Sequence, residues 1–315
     1  MIHHVYANQS NVGDWLSALG IQKLLGVGSR CDPAANSPLQ EHFCDDPSVD
    51  ETLDALSRAT PEDLIIIGGG GLFMDCFSRF WNGFRDVAER VPFAIWGVGA
   101  CELERGGSRL PQDLIGEIAE RSRLCVVRDE LTCDLLSPIR LPPPVVCPCV
   151  AAVAPGRNED ALVLHVDHYN SVGPENFERM CAAGDDFAAK SGRLSRRTNN
   201  LIEPGNAAQL DRVLGLYRAA GVVLSSRLHG CILAVATGRP VLAVSGDRKV
   251  ESFMRAAGLG DWVLDLDEIE SVPERLAGIH LQRRPVAFVD EARRRNRAVA
   301  ACVGSLIAER QVSFF

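Results

Sequence analysis

The residues best suited to chemistry in this sequence lie in one short stretch, which reads Ser-Ser-Arg-Leu-His-Gly at positions 225–230. It follows an apolar run of strand length and precedes an apolar helix, so Ser225, Ser226, Arg227 and His229 meet at one strand-to-helix junction. A helix N-terminus carries partial positive charge, and histidine exchanges protons near neutral pH. We predict a site here for an anion that also exchanges a proton, with Arg227 and His229 as its catalytic pair and the two serines as binding residues.

Polar residues also follow three other predicted strands. Asn11 and Asp14 stand at the start of the first helix, where they either help to bind an anion or cap the helix. Arg128 ends another strand, where it either grips an anionic group or pairs with its neighbour Asp129. Lys249 either supplies a second cation or belongs to the surface start of a helix.

Four consecutive glycines, at positions 68–71, follow an apolar strand. Glycines at a strand end permit positive φ values and close approach of a ligand to the backbone. The run matches neither G-x-G-x-x-G nor a Walker loop. Gly69 and Gly70 are therefore predicted ligand contacts, with a tight structural turn as the alternative.

Strand-length apolar runs alternate with helical segments along the whole chain, which indicates βαβ units and parallel sheets. A proline run at 142–144 interrupts this alternation and marks a boundary near residues 145–158. We predict an α/β protein with two Rossmann-like domains, residues 1–148 and 149–315, the second carrying the 225–230 stretch and a C-terminal helix. Residues 171–206 are polar and fit neither element, so they are interpreted as a surface excursion or a mobile flap.

Composition narrows the function further. The 315 residues carry a net charge of −8, which argues against nonspecific binding to nucleic acid. The sequence shows no basic and apolar leader and no apolar run of membrane-spanning length, so a cytoplasmic location is expected. The 11 cysteines include no C-x-x-C pair, and Cys147 and Cys149 lack the second half of a zinc site. We therefore expect buried, reduced thiols, no metal and no cofactor.

Several short motifs, in this order, resemble the polysaccharide pyruvyl transferase family. They are Asn-Val-Gly-Asp at 11–14, Gly-Gly-Gly-Gly-Leu at 68–72, Trp-Gly-Val-Gly at 96–99, Val-Arg-Asp at 127–129, Ser-Ser-Arg-Leu-His-Gly at 225–230, Gly-Arg-Pro at 238–240 and Asp-Arg-Lys at 247–249. The resemblance implies a GT-B-like fold with a cleft between the two domains. It also implies transfer of the enolpyruvyl group of phosphoenolpyruvate onto two sugar hydroxyls, which forms a pyruvate ketal and releases phosphate. Arg227 and His229 match the family's phosphoenolpyruvate-site residues, and Arg128 is their expected partner.

The implied chemistry suits these residues. Phosphoenolpyruvate carries about three negative charges, which Arg128, Arg227 and Lys249 can hold. His229 can act as the acid or the base, and the sequence does not decide between them. The implied acceptor is a sugar or a lipid-linked oligosaccharide of a bacterial surface glycan or exopolysaccharide, with at most peripheral membrane contact. The acceptor sugar and the oligomeric state, including a homo-oligomer, stay open.

Two other functions are compatible with the same sequence. A GT-B glycosyltransferase would share the fold, but no acidic residue follows the glycine run where it could hold the ribose of a nucleotide sugar. A non-catalytic protein that binds a glycan or a partner enzyme would not need Arg227 and His229 together.

Overall fold

The computed structural model describes residues 1–27, 39–100, 112–137, 139–156 and 162–312, and the chain forms two parallel five-stranded sheets. The strands of the first half are β1 (Ile2–Tyr6), β2 (Leu39–Phe43), β3 (Leu64–Gly68), β4 (Phe93–Val98) and β5 (Leu124–Val127). Those of the second half are β6 (Leu162–Val166), β7 (Leu194–Thr198), β8 (Ala220–Ser225), β9 (Val241–Ser245) and β10 (Val263–Asp265).

The two sheets have the same topology. The first runs β2-β1-β3-β4-β5 and the second runs β7-β6-β8-β9-β10 when read from its edge strand. In each half the strand that comes first in the sequence, β1 or β6, lies between the second and the third strands of that half. The direction in which successive strands are added therefore reverses beside it. Ligands of such sheets bind outside the carboxyl ends of the strands at this reversal. The prediction of two Rossmann-like halves is confirmed.

Helices connect the strands in both halves. In the first half they are α1 (Val12–Leu25), α2 (Val49–Ser57), α3 (Ser78–Arg90), α4 (Gln112–Arg121), α5 (Glu130–Leu135) and α6 (Cys149–Ala152). In the second half they are α7 (Tyr169–Val172), α8 (Pro174–Lys190), α9 (Ala207–Ala219), α10 (Leu228–Thr237), α11 (Arg248–Ala256), α12 (Val272–Ala277) and α13 (Val286–Val312). Across the described ranges, no helix combines the length and the apolar character that a membrane span requires.

The interpretation of residues 171–206 as an irregular excursion or flap was wrong. The segment contains the 17-residue helix α8 and the strand β7, which pairs in parallel with β6. β7 reads Leu-Ser-Arg-Arg-Thr and is exposed or half-buried along its length. An edge strand needs no apolar face, so its sequence lacks the pattern by which buried strands are recognised.

The last helix, α13, returns from the second half to cover the first sheet. Asn296 on α13 accepts a hydrogen bond from Trp96 Nε1 at 2.9 Å and donates one to the Val145 carbonyl at 2.9 Å. Val299 and Val303 pack in the same apolar cluster as Trp96. The C-terminal helix therefore belongs to the core of the first half as well, and the domain boundary at residue 148 stays a prediction.

Candidate active site

A pocket of about 240 Å³ lies where the carboxyl ends of the two sheets face each other. Its walls come from loops that follow β1, β3, β5, β6 and β8 and from the start of α11. The lining residues are Ala7, Asn8, Asn11, Asp14, Gly71, Met74, Cys76, Phe77, Arg128, His168, Arg227, Leu228, His229 and Lys249. Six of the ten predicted site residues are therefore brought together: Asn11, Asp14, Arg128, Arg227, His229 and Lys249.

Asn11 caps α1, and its neighbours Ser10 and Val12 connect the two halves. Its side-chain oxygen accepts a hydrogen bond from the Gly13 N–H at 3.0 Å, so the capping alternative is present. The Val12 N–H donates to the Asn200 carbonyl at 2.9 Å, and the Ile202 N–H donates to the Ser10 carbonyl at 2.8 Å. These bonds hold the N-terminus of α1 at the pocket wall.

Gly69 and Gly70 support the site without lining it. Both have φ near +90°, a region that favours glycine. A Cβ atom on Gly70 would lie 2.5 Å from Asp14 Oδ1, and one on Gly69 would lie 2.7 Å from Ser17 Cβ. The absence of these side chains lets α1 approach the end of β3 and places the Asp14 carboxyl group in the pocket.

Asp14 is itself 7% exposed. Burial raises the pKa of its carboxyl group, while the neighbouring His229 and Arg227 oppose that rise. The pocket therefore holds a carboxyl group that is a better proton donor near neutral pH than an ordinary aspartate.

Two cations reach the pocket together with carboxylate partners. Arg128, 2% exposed, bonds to Asp129 Oδ2 through Nε at 2.6 Å and to the Ala100 carbonyl through a terminal nitrogen at 3.0 Å. Lys249 Nζ lies 2.7 Å from Asp247 Oδ2. The predicted pairing of Arg128 with its neighbour Asp129 is thus present. Arg128 still lines the pocket, so the ion pair holds the guanidinium group there.

The two serines of the 225–230 stretch shape the loop. Ser225 Oγ accepts a hydrogen bond from the Arg227 N–H at 3.1 Å, and Ser226 Oγ accepts one from the His168 N–H at 2.8 Å. Neither serine is among the pocket-lining residues. Their hydroxyl groups fix the backbone that presents Arg227 and His229.

His229 is enclosed by groups that fix its ring. The side chain is 6% exposed, and its Nε2 lies 3.7 Å from Cys147 Sγ. Cys147 Sγ in turn lies 3.1 Å from Ser17 Oγ. Burial alone raises the pKa of the Cys147 thiol, but hydrogen bonds with Cys149 and His229 outweigh it and hold the pKa well below its usual value. The sequence predicted only a buried thiol at Cys147, because nothing in the C-x-C pattern points to a histidine 82 positions away.

His168 is a pocket residue that the sequence analysis missed. Its Nδ1 is buried and has no hydrogen-bond partner within the described ranges. Burial, followed by the charges of Arg227 and Lys249, lowers the pKa of His168 to about 4, so the ring is neutral without a ligand. His168 lies just beyond the end of β6, and the rule that pointed to the other strand ends would have identified it.

Gly13 leaves the space that the His229 ring occupies. A Cβ atom on Gly13 would lie 2.0 Å from His229 Cγ and Nδ1, closer than any real contact. We expect Gly13→Ala to displace the ring or α1 and to lower turnover by about 10²-fold, a loss that a misplacement of about 1 Å can cause. Phosphate release and the thermal midpoint measure the effect.

Gly215→Ala is the matched control for this substitution. Gly215 lies within α9, and a Cβ atom there would meet nothing within 4 Å. Alanine at this helical position is expected to leave turnover unchanged and to stabilise the fold by up to about 1 kcal/mol. Equal turnover of Gly13→Ala and Gly215→Ala would show that the packing of His229 on α1 does not position it.

Two groups of described residues offer ligand atoms close enough together for a metal ion. One is Cys147, Cys149 and His229, and the other is His165, Asp167 and Cys181. In the first group Cys147 already contacts Ser17 and His229, so its polar atoms are satisfied without an ion.

The match to a protein family follows the same residues. The family model described as polysaccharide pyruvyl transferase matches residues 11–248, well over half of the chain. The chain belongs to the polysaccharide pyruvyl transferase family. The matched range extends from Asn11, just before α1, to Arg248, the residue before Lys249. Apart from Lys249, it therefore contains every motif residue that lines the pocket.

Solved structures share the fold of this pyruvyl transferase family member. The UDP-GlcNAc 2-epimerase of Methanocaldococcus jannaschii, solved with UDP-GlcNAc and UDP, is 10% identical with a TM-score of 0.58 over 95% of this chain and 99% of that one. The Neisseria meningitidis UDP-GlcNAc 2-epimerase bound to UDP-GlcNAc gives the same values. S. aureus MnaA with UDP is 11% identical, with a TM-score of 0.54 over 88% and 87% of the two chains. These likenesses confirm the predicted GT-B-like fold. A search of curated proteins found no significant match.

Proposed function

We propose that this protein transfers the enolpyruvyl group of phosphoenolpyruvate onto two hydroxyl groups of a sugar, forming a pyruvate ketal and releasing phosphate. The observation that carries the proposal is the convergence of Arg128, Arg227 and Lys249 with His229 and His168 on one small pocket. Family membership supports a transferase of this kind.

The charge and the size of the pocket suit this donor. Arg128, Arg227 and Lys249 provide three cationic groups, while Asp14 is the single acidic residue in its described lining. A phosphate and a carboxylate on one small molecule would be held by two such groups or more. The volume of about 240 Å³ is below the range of about 300–1,000 Å³ of sites for drug-sized ligands, as a small metabolite requires.

The proposed reaction has two stages. In the first, the π electrons of the enol take a proton at C3, a sugar hydroxyl oxygen bonds to C2, and the hydroxyl proton passes to a base. In the second, the bond from C2 to the phosphate oxygen breaks, phosphate leaves with the electron pair, and a second hydroxyl bonds to C2 as it loses its proton. Each stage needs a proton-exchanging group beside C2 and C3.

Two pocket residues can exchange those protons. His229 is held against Gly13 and Cys147, and Asp14 carries a carboxyl group whose pKa is raised by burial. The cations around them would stabilise negative charge on the departing phosphate. Orientation of two hydroxyls toward the same carbon would supply a further part of the acceleration.

The test is thermal stabilisation of the purified protein by phosphoenolpyruvate, compared with UDP-sugars. A ligand that binds only the folded state stabilises it by about 2.7 kcal/mol at one hundred times its Kd. We expect phosphoenolpyruvate to raise the midpoint by several degrees and UDP-sugars to have no effect. Phosphate and pyruvate, tested separately, should produce smaller shifts, because each presents only one of the two anionic groups.

A shift with a UDP-sugar and none with phosphoenolpyruvate would instead favour a glycosyltransferase. If phosphoenolpyruvate does shift the midpoint, a second assay measures phosphate release from it in the presence of a glycan acceptor. That release distinguishes a working transferase from a protein that only binds the donor.

A further inference from the structure

A second polar cluster lies beneath α8, apart from the pocket residues. His165 on β6 and Asp167 just beyond its end are two positions apart, so they share one face of the strand. Cys181 on α8 faces them. A nitrogen of His165, a carboxylate oxygen of Asp167 and the sulfur of Cys181 all lie within 4.8 Å of one another.

The three side chains are buried, and two of them carry polar atoms without a hydrogen bond. His165, Asp167 and Cys181 are 0%, 6% and 1% exposed. Both ring nitrogens of His165 and the Oδ1 atom of Asp167 lack a hydrogen-bond partner among the residues that the structure describes. A buried polar group without a partner destabilises the folded state, and such groups are rare in folded proteins. Three orphaned atoms in one cluster point to a ligand.

α8 is shaped to pass over the imidazole. A Cβ atom on Gly184 would lie 2.3 Å from His165 Cε1 and 2.8 Å from its Nε2. Gly184 therefore leaves the ring its place between helix and sheet. Glycine is less favourable than alanine in the interior of a helix, so the glycine here lowers helix stability while it makes room for the His165 ring.

We propose that His165, Asp167 and Cys181 bind a divalent transition-metal ion, zinc above all. Imidazole, thiolate and carboxylate are the ligand types that zinc takes, and a set that includes thiolate does not suit magnesium or calcium. Tetrahedral zinc with bonds of about 2.0–2.3 Å places its ligand atoms about 3.3–3.8 Å apart. Loading thus requires the side chains to draw together by about 1 Å from separations of up to 4.8 Å.

The surroundings supply the orienting contacts that such sites need. Asp185 Oδ1 lies 3.6 Å from His165 Nε2, and Ser195 Oγ donates a hydrogen bond to the same oxygen at 2.5 Å. Arg197 pairs with the other oxygen of Asp185. The carboxylate of Asp185 therefore balances the positive charge of Arg197 next to the proposed metal ion.

The group of Cys147, Cys149 and His229 does not make the same case. Cys147 is in contact with both Ser17 and His229, so its sulfur already has polar partners and does not indicate a bound ion. The proposed metal would bind α8 to β6, and it does not depend on the donor substrate of the pocket.

Metal binding to protein stripped with a chelator tests the proposal. Zinc content after dialysis and the near-ultraviolet band of cobalt bound to thiolate are measured for wild type, Asp167→Asn and Cys181→Ser. We expect about one zinc per chain and a cobalt–thiolate band in wild type. Both variants should lose affinity by more than the roughly 10–100-fold that loss of a hydrogen bond to a ligand costs.

The controls separate this site from the other thiols. Cys147→Ser with Cys149→Ser, and Cys125→Ser in the first half, should keep wild-type zinc content and the cobalt band. Asp167→Asn preserves side-chain shape, so its result stands even if Cys181→Ser does not fold. Absence of zinc binding at micromolar concentration in wild type would overturn the proposal, as would loss of zinc only in the Cys147 and Cys149 double variant.

Discussion

His229→Ala is expected to lower kcat by about 10²–10⁴-fold, the usual contribution of a general acid or base. The ring lines the pocket and is held by Gly13 and Cys147, so its position is fixed before substrate arrives. Phosphate release from phosphoenolpyruvate, with a glycan extract as the source of acceptor, measures the loss. His229→Gln, which keeps a hydrogen-bonding side chain of similar size, should lose nearly as much because an amide does not exchange the proton.

His280→Ala is the matched control for this loss. His280 is exposed and contacts the Ala277 carbonyl, far along the chain from the pocket-lining residues. Circular dichroism and the thermal midpoint establish that each variant is folded. Turnover of folded His229→Ala within a factor of about three of wild type would remove His229 from proton transfer and leave Asp14 as the candidate.

Arg227→Ala is expected to weaken phosphoenolpyruvate binding by about 10–100-fold. A hydrogen bond to a charged group contributes about 1.5–3 kcal/mol, and each 1.4 kcal/mol is tenfold in Kd. Arg227→Lys should recover part of the affinity, since it restores the charge without the planar fork. Isothermal titration calorimetry measures both without requiring the acceptor.

The control for Arg227 is Arg248→Ala, which changes the net charge equally. Arg248 is exposed and is not part of the pocket lining, although its neighbour Lys249 is. Its affinity for phosphoenolpyruvate should stay within about twofold of wild type at moderate salt, where distant surface charges are screened. Equal losses in the two variants would mean that Arg227 acts only through the general field of the protein.

The sequence could predict which residues line the pocket because the carboxyl ends of parallel strands meet at one edge of a sheet. Buried strands are recognisable as apolar runs, and the residues beyond their ends converge in space, so Asp14, Arg128, Arg227, His229 and Lys249 could be named without coordinates. The same rule applied to β6 would have yielded His168.

Other features were beyond reach for physical reasons. β2 and β7 are edge strands with polar sequences, so they lack the apolar run that marks an interior strand. The contact of Cys147 with His229 depends on tertiary packing over 82 positions, which no local pattern encodes. The supporting roles of Gly69 and Gly70 became clear only once Asp14 was seen to fill the space beside them.

The return of α13 onto the first sheet has a consequence for how the chain folds during synthesis. Trp96 is bonded to a residue 200 positions further along, and Val299 and Val303 cover the same apolar face. When the first half has left the ribosome, that face of its sheet lacks the part of its cover that α13 supplies, and exposed apolar sheet is prone to association. The first half therefore completes its core only when nearly the whole chain has been translated. Loss of the last helix by a premature stop would unmask Trp96 as well as shorten the second half.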